Sequence, residues 1–363
     1  MRAGHLVITH CEEKSQPNSG RWRAQRDEEV MDTVPVIDIA PFLAGTPEGI
    51  DKVAREIAHA CEQIGFFQIT GYGVSEEFIQ QVYDISRRFF DLTESEKAVA
   101  AQPAPDQVRG WTAVGMEGLS YSLDEVAPGD LKEKMDMGPF AVPADEYHTC
   151  AEAGPHFAPN VWPDALPEMR GLWERYFAEM SEVSRQVMRI FAVALDLDID
   201  FFEDKINEHI SMFRAINYPD QVEPPLPGQL RAGAHSDYGS LTLLRQEQRP
   251  GSLQVMTKSG EWFDVPAIQG ALVVNIGDLM AEWTNDRWVS TLHRVINPPR
   301  DLANDSRRIS LVFFHQPNYD AMISCLPTCL TAGEQPKHAP MSSGEHLFSK
   351  FVKQSTFGQG VEQ

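Results

Sequence analysis

A series of short apolar runs, separated by turn residues, occupies positions 211–319 and constrains the fold more than any other feature of the sequence. The clearest runs lie at residues 241–244, 253–256, 271–276 and 309–314, with Gly, Pro and Asn between them. Runs of this length are typical of β-strands, and many of them in succession indicate a sandwich or a barrel. We therefore predict a β-sheet core in this half of the chain.

The chain before this core has mainly helical patterns. Apolar side chains recur every three to four positions over residues 50–64, 75–92 and 166–195, which is the spacing of one helix face. Residues 95–160 are rich in Pro, Gly, Ala and Asp, so we expect long loops there. The first 30 residues are polar and charged, without a periodic apolar face, and are expected to form a flexible extension.

These patterns divide the chain into four segments. In chain order they are a flexible extension over residues 1–30, a helical region with long loops over residues 31–205, a strand-rich core over residues 206–320 and a C-terminal segment over residues 321–363. We expect the helical region to pack on the core, which gives a mixed α and β fold.

The formal net charge of -22 argues against several kinds of partner. With 53 acidic residues against 31 Lys and Arg, most of the surface repels phosphate backbones and anionic lipid headgroups. We therefore expect no nucleic acid and no membrane as a partner. An anionic ligand must instead be captured by a local arginine or lysine, which makes individual arginines in the core informative.

Five scattered cysteines, an odd number, argue against a disulfide framework. Cys325 and Cys329 have the spacing of half a zinc site, but no second Cys or His pair lies near them in the sequence, and we interpret them as reduced loop thiols. No apolar stretch approaches the roughly 20 residues of a membrane span, and the N-terminus lacks an apolar signal core. The expected location is the cytoplasm.

Two histidines and one aspartate in the strand-rich core have the chemistry of a metal site. His235 and Asp237 occur in Gly-Ala-His-Ser-Asp-Tyr-Gly-Ser, and residues two apart on a strand point the same way. His293, in Ser-Thr-Leu-His-Arg-Val, can complete the set from a neighbouring strand. Two imidazoles and one carboxylate on one face of an octahedron leave three positions open, which is the ligand set of non-haem iron(II) oxygenases. Seven further histidines are interpreted as ordinary core or surface residues. They are His59, His148, His156, His209, His315, His338 and His346.

A second polar signal is Arg307-Arg308-Ile-Ser, which opens a run of alternating side chains. On a strand, Arg308, Ser310 and Phe314 share one face with Val312, while the residues between them share the other face. An arginine beside a hydroxyl inside an apolar barrel suits the bidentate capture of a carboxylate, and its charge is costly to bury without that anion. We interpret Arg307 as a surface residue.

Taken together, these motifs resemble those of the iron(II)/2-oxoglutarate-dependent oxygenases of the isopenicillin N synthase-like family. The resemblance covers about residues 34–351, and its densest part includes Gly251-Ser-Leu-Gln-Val, Val273-Val-Asn-Ile-Gly-Asp, Trp283-Thr-Asn and the segment around His293. It implies a double-stranded β-helix, or jelly roll, buttressed by N-terminal helices. It also implies an oxidoreductase that uses iron(II), O2 and 2-oxoglutarate to hydroxylate, desaturate or cyclise a small organic molecule, with formation of succinate and CO2.

Position by position, the resemblance implies that His235, Asp237 and His293 are the iron ligands and that Arg308 and Ser310 bind the far carboxylate of 2-oxoglutarate. It further implies that Tyr218, with Asn217 beside it, binds the co-substrate near the metal. The candidate substrate contacts are Arg214, Phe314, Trp111, Lys132 and Glu133.

Two alternatives remain open at this point. An iron oxidase of the same fold that does not use 2-oxoglutarate, such as isopenicillin N synthase or aminocyclopropane-carboxylate oxidase, resembles the chain equally in the triad and uses the Arg-x-Ser pair for another anion. A non-catalytic jelly-roll binding protein is the other alternative, although the intact ligand residues argue against it. The sequence predicts neither the substrate nor the oligomeric state.

Overall fold

The computed structural model describes residues 33–104, 107–123, 127–331 and 333–350. The predicted extension over residues 1–30 lies outside these ranges. The helices are α1 (Ala40–Leu43), α2 (Pro47–Gln63), α3 (Glu76–Phe90), α4 (Glu94–Ala98), α5 (Glu146–Thr149), α6 (Glu168–Ala194), α7 (Glu203–Ile206) and α8 (Asp278–Trp283). The strands are β1 (Val36–Asp38), β2 (Phe66–Thr70), β3 (Gly110–Thr112), β4 (Glu133–Met137), β5 (Met212–Tyr218), β6 (Ala232–His235), β7 (Leu241–Gln246), β8 (Leu253–Met256), β9 (Trp262–Val265), β10 (Leu272–Ile276), β11 (His293–Val295), β12 (Arg308–His315), β13 (Met322–Ile323) and β14 (Met341–Ser342).

Two sheets carry the core. The larger one has eight strands in the order β1-β2-β10-β7-β12-β5-β4-β3, and the smaller one has four strands in the order β6-β11-β8-β9. The strands β1 and β2 pair in parallel, whereas the other neighbours in both sheets pair antiparallel. The long strand β12 lies inside the larger sheet, because it pairs with β5 on one side and β7 on the other.

An apolar cluster fills the space between the two sheets. The larger sheet contributes Ile216, Val273 and Val312 to this interior cluster, and the smaller sheet contributes Val255 and Val265. Side chains from both sheets therefore interdigitate, as they do in a sandwich or jelly roll. This arrangement, buttressed by helices, agrees with the mixed α and β jelly roll that the sequence predicts.

The helices pack on the outer face of the larger sheet. In α6, the buried rings of Trp173 and Tyr176 contact Phe213 of β5, with ring centroids 4.6 and 4.7 Å apart. The outward-facing residues Leu311 and Phe313 of β12 belong to the same helix-facing cluster. The helices predicted over residues 50–64, 75–92 and 166–195 are confirmed as α2, α3 and α6, because their apolar positions recur at the helical period and are buried.

The prediction of long loops over residues 95–160 is incomplete, because β3 and β4 run through this segment and extend the larger sheet. Strand β4 is buried along its whole length although its sequence is Glu-Lys-Met-Asp-Met. Its charged side chains are paired with neighbours; Lys134, for example, lies 3.1 Å from Asp136. Buried charges of this kind leave no apolar run in the sequence, so the usual signal for a strand was missing. Among the described residues, no helix has the length and apolarity that a bilayer span requires.

Candidate metal centre

Three side chains, His235, Asp237 and His293, converge on one point. Each offers one ligand atom, and the three atoms lie within 4.8 Å of one another. Nε2 of His235 is 3.9 Å from Oδ1 of Asp237, and Nε2 of His293 is 3.8 Å from the same oxygen. In the described ranges, no other set of three His, Cys, Asp or Glu side chains is arranged in this way. The structure thus brings together the triad that the sequence singled out.

Strand pairing explains why these residues meet. His293 on β11 stands directly opposite His235 on β6, and the two ring centroids are 4.2 Å apart. Residues directly opposite each other in an antiparallel pair project to the same face of the sheet. Asp237 follows β6 by two residues and joins the two rings on that face. The register of β6 against β11 therefore fixes the triad.

Backbone carbonyls orient both imidazoles. Nδ1 of His235 lies 2.7 Å from the carbonyl oxygen of Gly233, and Nδ1 of His293 lies 3.2 Å from that of Thr291. Because a carbonyl only accepts, each Nδ1 donates its proton, and in the neutral ring each Nε2 then keeps a lone pair. Hydrogen bonds of this kind fix the tautomer of metal-binding histidines. Both Nε2 atoms are therefore available as ligands.

Two side chains that the sequence analysis missed hold the carboxylate. Oδ2 of Asp237 accepts hydrogen bonds from Oγ1 of Thr242 at 2.6 Å and from Nδ2 of Asn275 at 2.7 Å, which leaves Oδ1 facing the histidines. Asn275 is the polar residue of the fully buried strand β10, in an otherwise apolar run. That isolated amide was a signal that sequence reasoning could have used, because a buried amide requires a partner.

The protonation states suit a divalent metal ion. Burial, together with the neighbouring His293, lowers the pKa of His235 to about 3. Burial alone would raise the pKa of Asp237, but His293, His235 and the two hydrogen bonds to Oδ2 hold it below its ordinary value. A neutral imidazole and an ionised carboxylate are the forms that bind metal. The donor set of two nitrogens and one oxygen therefore fits iron(II).

Asn275→Ala is expected to lower the affinity for iron(II) by about 10- to 100-fold, because outer hydrogen-bond partners of metal ligands typically contribute that much. Anaerobic equilibrium titration with iron(II) measures the effect. The control is Asn318→Ala, which removes a buried amide bonded to Glu208, Asp204 and Asn207, away from the triad. Equal losses of iron affinity in the two variants would show that the Asn275 hydrogen bond does not orient Asp237.

Arg308 is buried, and no carboxylate of the described residues lies within ion-pair distance of it, although the more distant charge of Glu247 acts on it. Only 2% of its surface is exposed, and its Nε has no hydrogen-bond partner in the described part of the chain. Burial lowers the pKa of Arg308 below its ordinary value. Ser310, which is equally buried, follows two residues later on the same face of β12. A buried guanidinium beside a hydroxyl points to a carboxylate ligand at this position.

Tyr218 lies on the same interior face as Arg308. The two residues stand opposite each other in the pairing of β5 with β12, and the guanidinium carbon of Arg308 is 4.9 Å from the centre of the tyrosine ring. Arg231, which is fully buried, approaches the same ring at 5.8 Å. Tyr218 therefore lies near two guanidinium groups, beside the predicted carboxylate site.

Three other predicted contacts, Asn217, Trp111 and Glu133, lie on the opposite face of the larger sheet. Nε1 of Trp111 donates to Oε2 of Glu133 at 2.8 Å, and Nδ2 of Asn217 donates to Oε1 of Glu133 at 2.9 Å. Trp111 belongs to the helix-facing cluster, and Asn217 must face away from Tyr218 because adjacent strand residues alternate. The structure does not bring these three residues to the triad. They form a buried polar network between the sheet and the helical layer.

Glu133→Ala is expected to lower the free energy of unfolding by about 3 kcal/mol, because it leaves Lys97 and the Trp111 and Asn217 donors buried without their partner. Denaturant unfolding measures this loss, and Glu146→Ala, at an exposed acidic position, is the control. The concentration of 2-oxoglutarate needed for half-maximal activity should not change. A variant with full stability but weakened substrate binding would restore Glu133 as a substrate contact.

Arg214, Phe314 and Lys132 lie on the side of the triad. The guanidinium carbon of Arg214 is 5.4 Å from the centre of the Phe314 ring, and the charge of Arg214 interacts with that of Asp237. Phe314 stands opposite Thr242 in the pairing of β12 with β7. The charge of Lys132 acts on His235. Three of the five candidate substrate contacts therefore line the interior near the triad.

Comparison with known proteins agrees with this geometry. Residues 34–165 match a family model described as the N-terminal part of a non-haem dioxygenase in morphine synthesis, and residues 208–317 match the model of the 2OG-Fe(II) oxygenase superfamily. A 2-oxoglutarate-Fe(II) type oxidoreductase of Emericella nidulans, hxnY, is 33% identical over 312 residues, which cover 85% of this chain and 86% of that protein.

Two further proteins are similar over most of their length. Homoarginine-6-hydroxylase from Glycine max is 32% identical over 335 residues, which cover 88% of this chain and 96% of that protein. The crystal structure of a full-length Neurospora crassa protein in complex with alpha-KG and thymine superposes with a TM-score of 0.78 at 30% identity, covering 90% of this chain and 98% of the other.

Proposed function

Because the chain belongs to the 2OG-Fe(II) oxygenase superfamily, we propose that His235, Asp237 and His293 bind its iron(II) and that Arg308 and Ser310 bind the far carboxylate of its 2-oxoglutarate. Enzymes of this class couple the oxidative decarboxylation of 2-oxoglutarate, with O2, to the oxidation of a small organic substrate, and this chain is such an oxidoreductase. The observation that carries the residue assignment is the convergence of two Nε2 atoms and one carboxylate oxygen within 4.8 Å.

The chain's own groups prepare the site for these ligands. The carbonyls of Gly233 and Thr291 hold the Nδ1 protons, so that both Nε2 atoms face Asp237. Arg308 supplies a buried positive charge that a carboxylate of 2-oxoglutarate neutralises. The iron, when bound, supplies the redox chemistry that activates O2. The interior apolar cluster between the two sheets keeps bulk water from the reacting groups.

We further assign Tyr218 to the co-substrate, since its ring lies 4.9 Å from the guanidinium carbon of Arg308 on the interior face. Arg214 and Phe314 are assigned to the substrate, since both face the interior near Asp237.

Hydroxylation is the outcome we propose, because a similar protein bears the name of a hydroxylase. A small molecule is the partner, and the net charge of -22 disfavours nucleic acid and anionic membranes. A cytoplasmic location is proposed because the cysteines in the described ranges, Cys61, Cys150, Cys325 and Cys329, are free thiols.

Sequential binding experiments test this function. Anaerobic calorimetry first measures the binding of iron(II) and then that of 2-oxoglutarate, and succinate release is measured after O2 is admitted. We expect 2-oxoglutarate to bind only after iron and succinate to form with O2. Uptake of O2 with a supplied substrate and without 2-oxoglutarate would instead identify an oxidase of the isopenicillin N synthase type. Failure to bind iron(II) would indicate a non-catalytic binding protein.

A further inference from the structure

The turn between α2 and β2 lies against the segment of chain that leads into His293. We name residues 64–66 the α2–β2 corner and residues 289–292 the His293 segment. Oγ1 of Thr291 donates a hydrogen bond to the carbonyl oxygen of Ile64 at 2.6 Å. The carbonyl oxygen of Thr291 in turn accepts from Nδ1 of His293 at 3.2 Å. One residue therefore connects the corner with the imidazole.

No side chain separates the α2–β2 corner from the His293 segment. The backbone of Gly65 has a φ of 68°, and a Cβ at this position would lie 1.9 Å from the carbonyl oxygen of Val289. The backbone nitrogen of Val289 also donates to the carbonyl oxygen of Cys61, in the last turn of α2, at 3.0 Å. Glycine is required here both for the positive φ and for the close approach of the two backbones. The end of α2 and the start of β2 therefore set the position of the His293 segment.

Phe66, the last residue of the α2–β2 corner, reaches the imidazole of His293 itself. The two ring centroids are 5.3 Å apart, and the ring planes are inclined by 69°. Phe66 is 1% exposed and belongs to the interior apolar cluster. It stands opposite Asn275 in the pairing of β2 with β10, and Nδ2 of Asn275 donates to Oδ2 of Asp237. Facing positions on two strands therefore act on two of the three triad residues.

The contacts of His293 limit the rotation of its ring. A histidine side chain turns about two single bonds, and only some of its orientations direct Nε2 at the point where the triad converges. The hydrogen bond from Nδ1 to Thr291 restrains the edge of the ring, and the packing of Phe66 restrains its inclination. Loss of either restraint lets the ring populate other orientations. The apparent affinity for a metal ion then falls in proportion to the competent fraction.

We propose that the α2–β2 corner is a positioning element of the iron centre, in which Phe66 and the hydrogen bond from Thr291 to Ile64 hold the imidazole of His293 in its metal-binding orientation. This inference rests on the proposed function, which assigns His293 to the iron. The corner lies in the part of the chain that matches the N-terminal family model, whereas the triad lies in the part that matches the oxygenase model. The N-terminal region thus contributes to the metal centre as well as supporting the sheets.

Two neighbouring phenylalanines provide a matched test. Phe67 follows Phe66 on β2 and is equally buried, but it faces the helices, where its ring lies 6.4 Å from that of Phe191. Phe66→Leu and Phe67→Leu each remove one ring from a packed interior, so both should lower Tm. Anaerobic titration of the folded proteins with iron(II) then separates positioning from packing.

We expect Phe66→Leu to bind iron(II) about 3- to 10-fold more weakly than the unaltered protein, which is the size of an edge-to-face aromatic contact, and Phe67→Leu to stay within about twofold. Equal iron affinities in the two variants would overturn the role of Phe66.

A second pair of variants tests the hydrogen bond of the α2–β2 corner. Thr291→Val removes the hydroxyl that donates to Ile64, whereas Thr291→Ser keeps it. Iron(II) binding should be about 3- to 10-fold weaker in Thr291→Val and within about twofold of the unaltered protein in Thr291→Ser, because a net hydrogen bond contributes about that factor. Equal affinities in these two variants would overturn the role of the hydrogen bond. If Phe66→Leu does not fold, this pair alone decides the proposal.

The unaltered protein separates this inference from the proposed function. If it binds no iron(II), the proposed function fails and the inference fails with it. If it binds one equivalent, but the members of each pair of variants bind iron(II) equally, the positioning role alone is overturned.

Discussion

His235→Ala is expected to abolish the binding of one equivalent of iron(II) and to reduce succinate formation below detection. Loss of an outer hydrogen-bond partner costs about 10- to 100-fold in metal affinity, and loss of a ligand itself costs more. Iron(II) that binds only the folded protein raises its melting temperature, so the iron-induced rise in Tm reports binding without turnover. We expect that rise in the unaltered protein and its absence in the variant. Metal content after anaerobic gel filtration provides the second measurement.

The control for this experiment is His59→Ala. His59 is exposed on α2 and belongs to the histidines that the sequence did not assign to the metal. It should keep the full iron-induced rise in Tm and full activity. Retention of the rise in His235→Ala, or its loss in His59→Ala, would show that iron is held elsewhere. The triad and the proposed reaction would then both be wrong.

The triad was predictable because a period of two is a property of the strand itself. His235 and Asp237 had to share a face once the segment was extended, and His293 needed only to lie on a neighbouring strand. The observed pairing of His293 with His235 supplies that neighbour. The partners of Asp237 were not predictable in the same way, because Thr242 and Asn275 reach Oδ2 from β7 and β10 through tertiary packing.

The alternation of side chains along a strand also explains why some candidate contacts do not face the metal triad. Asn217 precedes Tyr218 on β5, so the two side chains cannot face the same interior, and Asn217 bonds Glu133 instead. Alternation also puts Lys132 and Glu133 on opposite faces of the sheet, but it does not predict which of the two side chains points inward. That choice depends on the register of β4 against β5, where Glu133 stands opposite Asn217. The register follows from the assembled sheet, and the charged sequence of β4 gave no local sign of a strand.

The ion pairs that Glu117 makes with Lys134 and Arg214 illustrate the limit of predictions made from single residues. Glu117 comes from the segment between β3 and β4, whereas its partners Lys134 and Arg214 come from two strands. Each residue alone resembles an ordinary surface charge in a chain with a net charge of -22. Only the pairing of β4 with β5 brings them into one buried series. Buried ion pairs that depend on several long-range strand pairings therefore cannot be predicted from the sequence pattern.

Arg308→Gln is expected to raise the concentration of 2-oxoglutarate needed for half-maximal activity by roughly 30-fold to several thousandfold. Truncating one partner of a buried, hydrogen-bonded charge pair costs about 2–5 kcal/mol, and each 1.4 kcal/mol is a factor of about ten in affinity. Iron(II) binding should be unchanged, because the guanidinium is not a metal ligand. Calorimetry of 2-oxoglutarate on the iron-loaded variant separates this loss of binding from a loss of turnover.

Arg307→Gln is the matched control, since this neighbouring arginine begins the same motif but faces the other way. Its Nε donates to Asn217, on the helix-facing side, and its Nη1 pairs with Asp91. Its 2-oxoglutarate requirement should stay within about twofold, because a half-exposed ion pair contributes little. Arg308→Lys should lie between the unaltered protein and Arg308→Gln, since a lysine keeps the charge but loses the two-pronged hydrogen bonding. If Arg308→Gln binds 2-oxoglutarate normally, the assignment of Arg308 to the co-substrate is wrong.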